Sequence, residues 1–275
     1  MLIEPEALQA RLDEPDLRII DATWYLPAQG RNAREEYALE HIPGALYVDL
    51  STDLAEPGAP IRNTIAEPPA LAGTFARAGI GTEHRVVVYD RRGGYSAGRI
   101  WWALCYAGHP GPALLDGGYA RWIAEGRPVT SQVPVFPEAS FESTPREEIL
   151  ARKEDVLRAL AEQEPVIVDA RSLERFRGNG EESTRHRGHI PGSVCVPYGS
   201  NLDDELAFRP TAELREIYEK AGVRFDRPVI TTCGSGVTAS LSAFALMLIG
   251  HRDVRVYDGS WAEWGDLDDV PHERN

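Results

Sequence analysis

A cysteine followed by Gly-Ser-Gly is the group of residues in this chain best placed to do chemistry. Residues 229–232 (Val-Ile-Thr-Thr) form a short β-branched run that predicts a buried strand, and 239–249 read as an apolar helix. Cys233 thus falls between a strand's end and a helix's start. Backbone N–H groups converge at such a junction, and their dipoles stabilise an anion such as a thiolate. Gly234 and Gly236 let the loop turn tightly with its amides facing inward, as an anion nest. The plainer alternative is a buried, inert thiol at a strand end. Both glycines and the helix start argue for the reactive one.

Several cysteine chemistries compete for such a loop. A Cys-x5-Arg phosphatase needs an arginine at position 239 to clamp phosphate, and the chain has Ala239. A dithiol redox site needs Cys-x-x-Cys, and Gly236 stands where the second cysteine should be. A cysteine hydrolase needs a histidine partner. His189 is the candidate, within His-Ile-Pro-Gly, but His41 repeats that motif in the half without this loop, so the motif reads as a structural turn. What is left is a lone activated thiolate that accepts a group and passes it on. A persulfide fits, because inward amides stabilise its terminal sulfur without a general base.

The elements that must position this loop occur twice. Residues 166–171 (VIVDAR) match 19–23 (IIDAT), 188–193 (GHIPGS) match 40–45 (EHIPGA), and 218–223 (YEKAGV) match 75–80 (FARAGI). The strand ending at Cys233 matches residues 86–89 (VVVY) ending at Asp90. The stretch 257–264 (YDGSWAEW) matches 115–122 (LDGGYARW). Matches in a constant order indicate internal duplication. Each half alternates strands and helices, which predicts α/β domains with mostly parallel sheets flanked by helices. The expected division is 1–128, a Pro- and Ser/Thr-containing linker at 129–148, and 149–275. Asp90 cannot be a sulfur nucleophile. The first half therefore reads as a copy without chemistry, kept for packing or for walling a cleft, with Asp90 as a helix cap or an anchor for Arg91, Arg92 or Arg99.

Composition sets outer bounds. Apolar residues make up 43% and charged ones 26%, ordinary for a soluble globular chain. A net charge of −14 argues against nucleic acid and anionic membranes as partners, so an anionic substrate needs a local basic pocket. The first residues, MLIEPEALQA, lack a signal-peptide pattern, and no apolar run is long enough to span a bilayer. Cys105, Cys195 and Cys233 are too few and scattered for a disulfide framework, and a reducing cytoplasm is expected. Cys105, in a Trp-rich helical run, and Cys195, in Val-Cys-Val, read as core residues.

Together, the paired His-Ile-Pro-Gly motifs, the Asp-Gly-Gly and Asp-Gly-Ser strand ends and the CGSGVTA loop resemble the rhodanese superfamily, specifically its tandem two-domain sulfurtransferases. The loop spelling is similar to 3-mercaptopyruvate sulfurtransferases, whereas thiosulfate-type members usually carry basic residues just after the cysteine. The resemblance implies two tandem rhodanese-like domains and a persulfide on Cys233, filled from mercaptopyruvate and emptied to cyanide, a small thiol or thioredoxin. Thiosulfate is the alternative donor, and a sulfur-carrier or binding module the alternative role. No cofactor and no metal are implied. The site expected from the resemblance comprises Cys233 and Ser235, the loop residues Gly234, Gly236, Val237 and Thr238, and Arg175 on the substrate carboxylate. A second arginine comes from the stretch before His-Ile-Pro-Gly, Arg185 or Arg187, with spacing favouring Arg185. Arginine suits a carboxylate through its planar fork of donors. Mercaptopyruvate enzymes often set Ser235 beside a histidine and an aspartate from the first domain. Here Asn63 stands at the histidine's place and Ser51 at the aspartate's, so that relay cannot be assembled from its usual parts.

Overall fold

The computed structural model describes residues 1–274 and divides into two compact units. Unit 1 comprises Met1–Pro57, Ile65–Arg146 and Asp204–Phe208. Unit 2 comprises Gly58–Thr64, Glu147–Asp203 and the chain from Arg209 onward. Each unit therefore contains a short segment from the other half of the chain, which the sequence reading did not anticipate. Residues 129–146 of the expected linker 129–148 belong to unit 1. His41 and Thr130 exchange both backbone hydrogen bonds at 2.9 Å, and the Arg146 N–H reaches Tyr106 O at 3.0 Å.

Unit 1 holds β1 (Leu2–Ile3), β2 (Leu17–Asp21), β3 (Ala45–Tyr47), β4 (Arg85–Tyr89) and β5 (Ala113–Leu115), in the order β1-β5-β4-β2-β3. Unit 2 holds β6 (Leu150–Ala151), β7 (Val166–Asp169), β8 (Val194–Cys195), β9 (Val229–Thr232) and β10 (Val254–Tyr257), in the order β6-β10-β9-β7-β8. Every pairing is parallel, and the two orders are the same once the repeat is superposed on itself. Parallel strands covered on both faces need apolar side chains in succession rather than alternation. Val86-Val87-Val88-Tyr89 and Val229-Ile230-Thr231-Thr232 supply this and are fully buried.

In each unit the central strand, β4 or β9, feeds a buried helix, Ala97–Ala107 or Val237–Leu248. The second is apolar on every face, as a helix sunk in a core must be. Ile19, Val87, Tyr89 and Trp122 anchor one core, and Ile167, Ile230, Tyr257, Trp261 and Trp264 the other. No helix among the described residues is long and apolar enough to cross a membrane. In open parallel sheets the carboxyl end of a central strand is where loops gather around ligands.

Candidate active site

The loop after β9 is gripped from behind by the next strand's end. Ser260, just past β10, has its Oγ at 3.1 Å from the Cys233 amide and 3.0 Å from the Gly236 amide, accepting from both, and donates its own proton to Tyr257 O at 2.8 Å. The Trp261 and Ala262 N–H groups donate to the carbonyls of Cys233 and Gly234 at 3.0 and 2.9 Å. Ser260 adopts φ 50°, a left-handed conformation that costs a non-glycine residue about 1–2 kcal/mol. Its two accepted bonds offset that strain. Gly236 at φ 75° supplies the turn into the helix without such a penalty.

The remaining amides of the turn are not tied back. Among the described residues, the N–H groups of Gly234, Ser235, Val237, Thr238 and Ala239 meet no protein acceptor. An open set of donors around a cysteine at a helix start is a place for negative charge.

Unit 1 shows what such a loop binds. Asp90 ends β4 as Cys233 ends β9, and Tyr119 N–H grips Asp90 O at 2.8 Å as Trp261 grips Cys233 O. The Asp90 carboxylate turns into its own loop. Oδ1 accepts from the amides of Arg92 and Gly94 at 2.7 and 2.9 Å, and Oδ2 from those of Ser96 and Ala97 at 2.7 and 2.8 Å. In the repeat alignment, Arg92, Gly94 and Ser96 correspond to Ser235, Val237 and Ala239, whose amides are open in unit 2.

Cys105 and Cys195 lie outside this loop. Burial pushes the Cys105 thiol up to about 12. Burial, with the Asp169 charge beside it, does the same to Cys195. Both are held as neutral thiols. Cys233 is only 2% exposed, but it lies in the amide-rich turn.

Arg175 borders the loop. Its helix, Leu173–Phe176, is capped by the Ser172 hydroxyl, which accepts the Arg175 N–H at 3.3 Å. The guanidinium forks onto Glu182, with Nε and Nη2 each 2.8 Å from a carboxylate oxygen. Glu182 Oε1 also accepts from Arg171 Nη1 at 2.8 Å, and buried Arg171 is clamped in turn by Asp169 at 2.6 Å. This chain of charges fixes Arg175 against the loop. A Cβ on Gly234 would lie 3.0 Å from Arg175 Nη2, so a side chain there would press the guanidinium aside by a few tenths of an ångström. Gly234, Arg175, Glu182, Thr184, Asp266 and Arg62 line a cleft of about 230 Å³.

Ser235 is buried, and the Asn63 amide donates to its Oγ at 3.4 Å. Asn63 belongs to the 58–64 segment of unit 2 and adopts φ 62°, which asparagine tolerates better than most residues. Because Asn63 is the donor, the Ser235 hydroxyl keeps its own proton to give. Ser51 is engaged within unit 1, where it donates to Asp49 Oδ1 at 2.6 Å and accepts from Trp24 Nε1 at 3.3 Å.

A rhodanese-like domain model matches residues 4–125 and 153–267. The chain belongs to the rhodanese family. It is 36% identical over 263 residues to human 3-mercaptopyruvate sulfurtransferase, covering 94% of this chain and 88% of that one. It is 37% identical over 265 residues to bovine thiosulfate sulfurtransferase, with coverage of 94% and 88%. The crystal structure of SseA from Escherichia coli is similar at a TM-score of 0.87 and 33% identity, covering 94% of this chain and 98% of that one. This tandem rhodanese is an enzyme of the sulfurtransferase class.

Within it, the structure brings Cys233, Gly234, Ser235, Gly236, Val237, Thr238 and Arg175 into one region. It does not bring Arg185 there. Arg185 is 67% exposed and paired with Asp268 at 2.9 Å, because its backbone is pinned to Asp266 by an N–H···O bond of 2.8 Å that turns the side chain outward. Arg187 is also exposed. His189 stacks on Phe176 at 3.7 Å and donates to its carbonyl, and His41 does the same with Tyr37 at 4.0 Å. Both histidines are packing pins in their turns. Ser260, Glu182 and Arg62 were not singled out from sequence. A signal existed only for Ser260, a serine where the repeat has Gly118 at φ 54°.

Proposed function

We propose that this sulfurtransferase takes a sulfane sulfur from 3-mercaptopyruvate as a persulfide on Cys233 and passes it to a thiol, thioredoxin or cyanide, in a cytoplasmic setting. The observation that carries the reading is the pair of loops. One has its amides filled by the Asp90 carboxylate, and the other leaves the corresponding amides open around Cys233.

The Cys233 thiolate attacks the donor sulfur. The C–S bond breaks, its electron pair goes to the carbon as the pyruvate enolate, and the enolate takes a proton from solvent or from the Ser235 hydroxyl. The new S–S bond leaves a terminal sulfur whose charge the amides of Ser235, Val237 and Ala239 stabilise. An acceptor thiolate or cyanide then attacks that sulfur, and Cys233 leaves as thiolate. Arg175 binds the donor carboxylate through the face of its guanidinium not committed to Glu182. The neutral Gly234 and Ser235 after the cysteine support mercaptopyruvate over thiosulfate as the donor.

Thiosulfate is the second reading, favoured by the comparable identity to the bovine thiosulfate enzyme. Thiocyanate formation from cyanide with each donor decides between them. Intact mass after donor treatment reports one added sulfur at Cys233. A Cys233→Ser variant with full activity, or a wild-type chain inert to both donors, would sink the proposal.

A further inference from the structure

Arg175 is a half-spent cation. Its Nε and Nη2 are both committed to Glu182, leaving Nη1 toward the cleft. The second arginine expected before His-Ile-Pro-Gly is not at hand, since Arg185 is held by Asp268. The carboxylates on the cleft wall are themselves engaged: Glu182 by Arg171 and Arg175, and Asp266 by the Arg185 amide. One further cation lines this space. Arg62 lies on the same cleft and makes no ion pair or hydrogen bond among the described residues.

Its backbone is not a loose tip. The Ile61 carbonyl accepts from the Thr64 hydroxyl at 2.8 Å, and the neighbouring Asn63 is tied to Ser235 beside Cys233. This turn holds Arg62 next to the sulfur-carrying loop. In a chain of net charge −14, an anionic donor is drawn in only by local positive charge that no neighbour cancels.

We infer that Arg62, carried on the 58–64 segment, is the second cationic residue that binds the donor's anionic group and sets the preference for anions. This rests on the sulfurtransferase reading of Cys233. Arg62 acts on binding and approach, and the chemical step stays with Cys233.

The test uses two alkylating reagents of similar size and opposite character, anionic iodoacetate and neutral iodoacetamide, with Cys233 modification followed by intact mass. Arg62→Ala lowers the iodoacetate-to-iodoacetamide rate ratio about tenfold. Arg152→Ala, which removes an exposed arginine paired with Glu147, leaves the ratio unchanged. In the thiocyanate assay, Arg62→Ala raises KM for the anionic donor about tenfold with kcat within twofold. An unchanged ratio in Arg62→Ala overturns the inference. So does a drop in Arg185→Ala that is absent from Arg62→Ala, which would return the role to Arg185. If neither reagent modifies Cys233, the catalytic reading of that cysteine fails instead. Pyruvate titration by calorimetry then decides Arg62 by itself. Binding weakened about tenfold in Arg62→Ala supports the inference, and equal binding, or none in the wild type, overturns it.

Discussion

Asp90 and Cys233 end equivalent strands of two sheets with the same strand order, and their loops present equivalent amides. In unit 1 an internal carboxylate quenches those donors permanently. In unit 2 the side chain is one atom group shorter and polarisable, and the donors stay open. The same loop can thus hold a built-in carboxylate or leave its donors open, and the residue at its start decides which. A second difference supports the first. Unit 1 has Gly118 where unit 2 has Ser260, and only the serine ties back the amides of Cys233 and Gly236.

The most severe test falls on Cys233, the proposed nucleophile. Cys233→Asp would copy unit 1 into unit 2. Turnover should fall by more than about a thousandfold, as for removal of any covalent nucleophile. Its melting temperature should nevertheless match or exceed that of Cys233→Ala, because the carboxylate occupies the open amides. A lower melting temperature than the alanine variant would show that the two loops are not equivalent.

The converse change empties the filled nest. Asp90→Ala strips acceptors from the amides of Arg92, Gly94, Ser96 and Ala97 at once. At about 1 kcal/mol for each of these and for the Ser96 hydroxyl bond to Oδ2 at 3.1 Å, urea unfolding should show a loss of about 5 kcal/mol. A loss below about 1 kcal/mol would mean that water replaces the carboxylate without penalty.

Ser260→Gly gives unit 2 the residue of unit 1. Relief of the left-handed strain, about 1 kcal/mol, opposes the loss of three hydrogen bonds of about 1 kcal/mol each, so stability should fall by about 2 kcal/mol. Turnover should drop more than stability suggests, by about tenfold, because the loop loses the anchor that fixes which amides face the sulfur. Identical kinetics in wild type and variant would reduce Ser260 to packing.

The smallest effect tests what the units share. His109 and His251 occupy equivalent positions after the two buried helices, and burial holds each below the ordinary 6.5. The folded chain therefore binds fewer protons at these sites than the unfolded chain as pH falls below 6.5. Stability should fall with acidification through that window and level off once the folded histidines also protonate. Melting temperatures from pH 7 to 5 should decline less steeply in a His109→Gln/His251→Gln variant. Parallel curves would place the acid sensitivity elsewhere.

The legible parts were those written in contiguous residues. Val86-Val87-Val88 and Val229-Ile230 declare buried strands, the glycines around Cys233 declare its turn, and repeated strings declare the duplication. Arg175 was legible through a local motif. What stayed hidden depends on which strands lie side by side. Ser260 reaches the Cys233 loop because β10 pairs with β9, a register that no short string states. Arg185 has the expected spacing, but its pairing with Asp268 and its backbone bond to Asp266 are tertiary contacts that no short string states. Arg62 and Asn63 lie in the first half of the sequence but in the second unit of the fold.

That exchange of short segments bears on why a copy without a nucleophile persists. Unit 2 is completed by residues 58–64 and unit 1 by residues 204–208. A gene cut between residues 146 and 147 would yield two polypeptides, each missing a piece that only its sibling encodes. The half that carries Asp90 in place of the cysteine thereby still contributes residues 58–64 to the unit that carries Cys233.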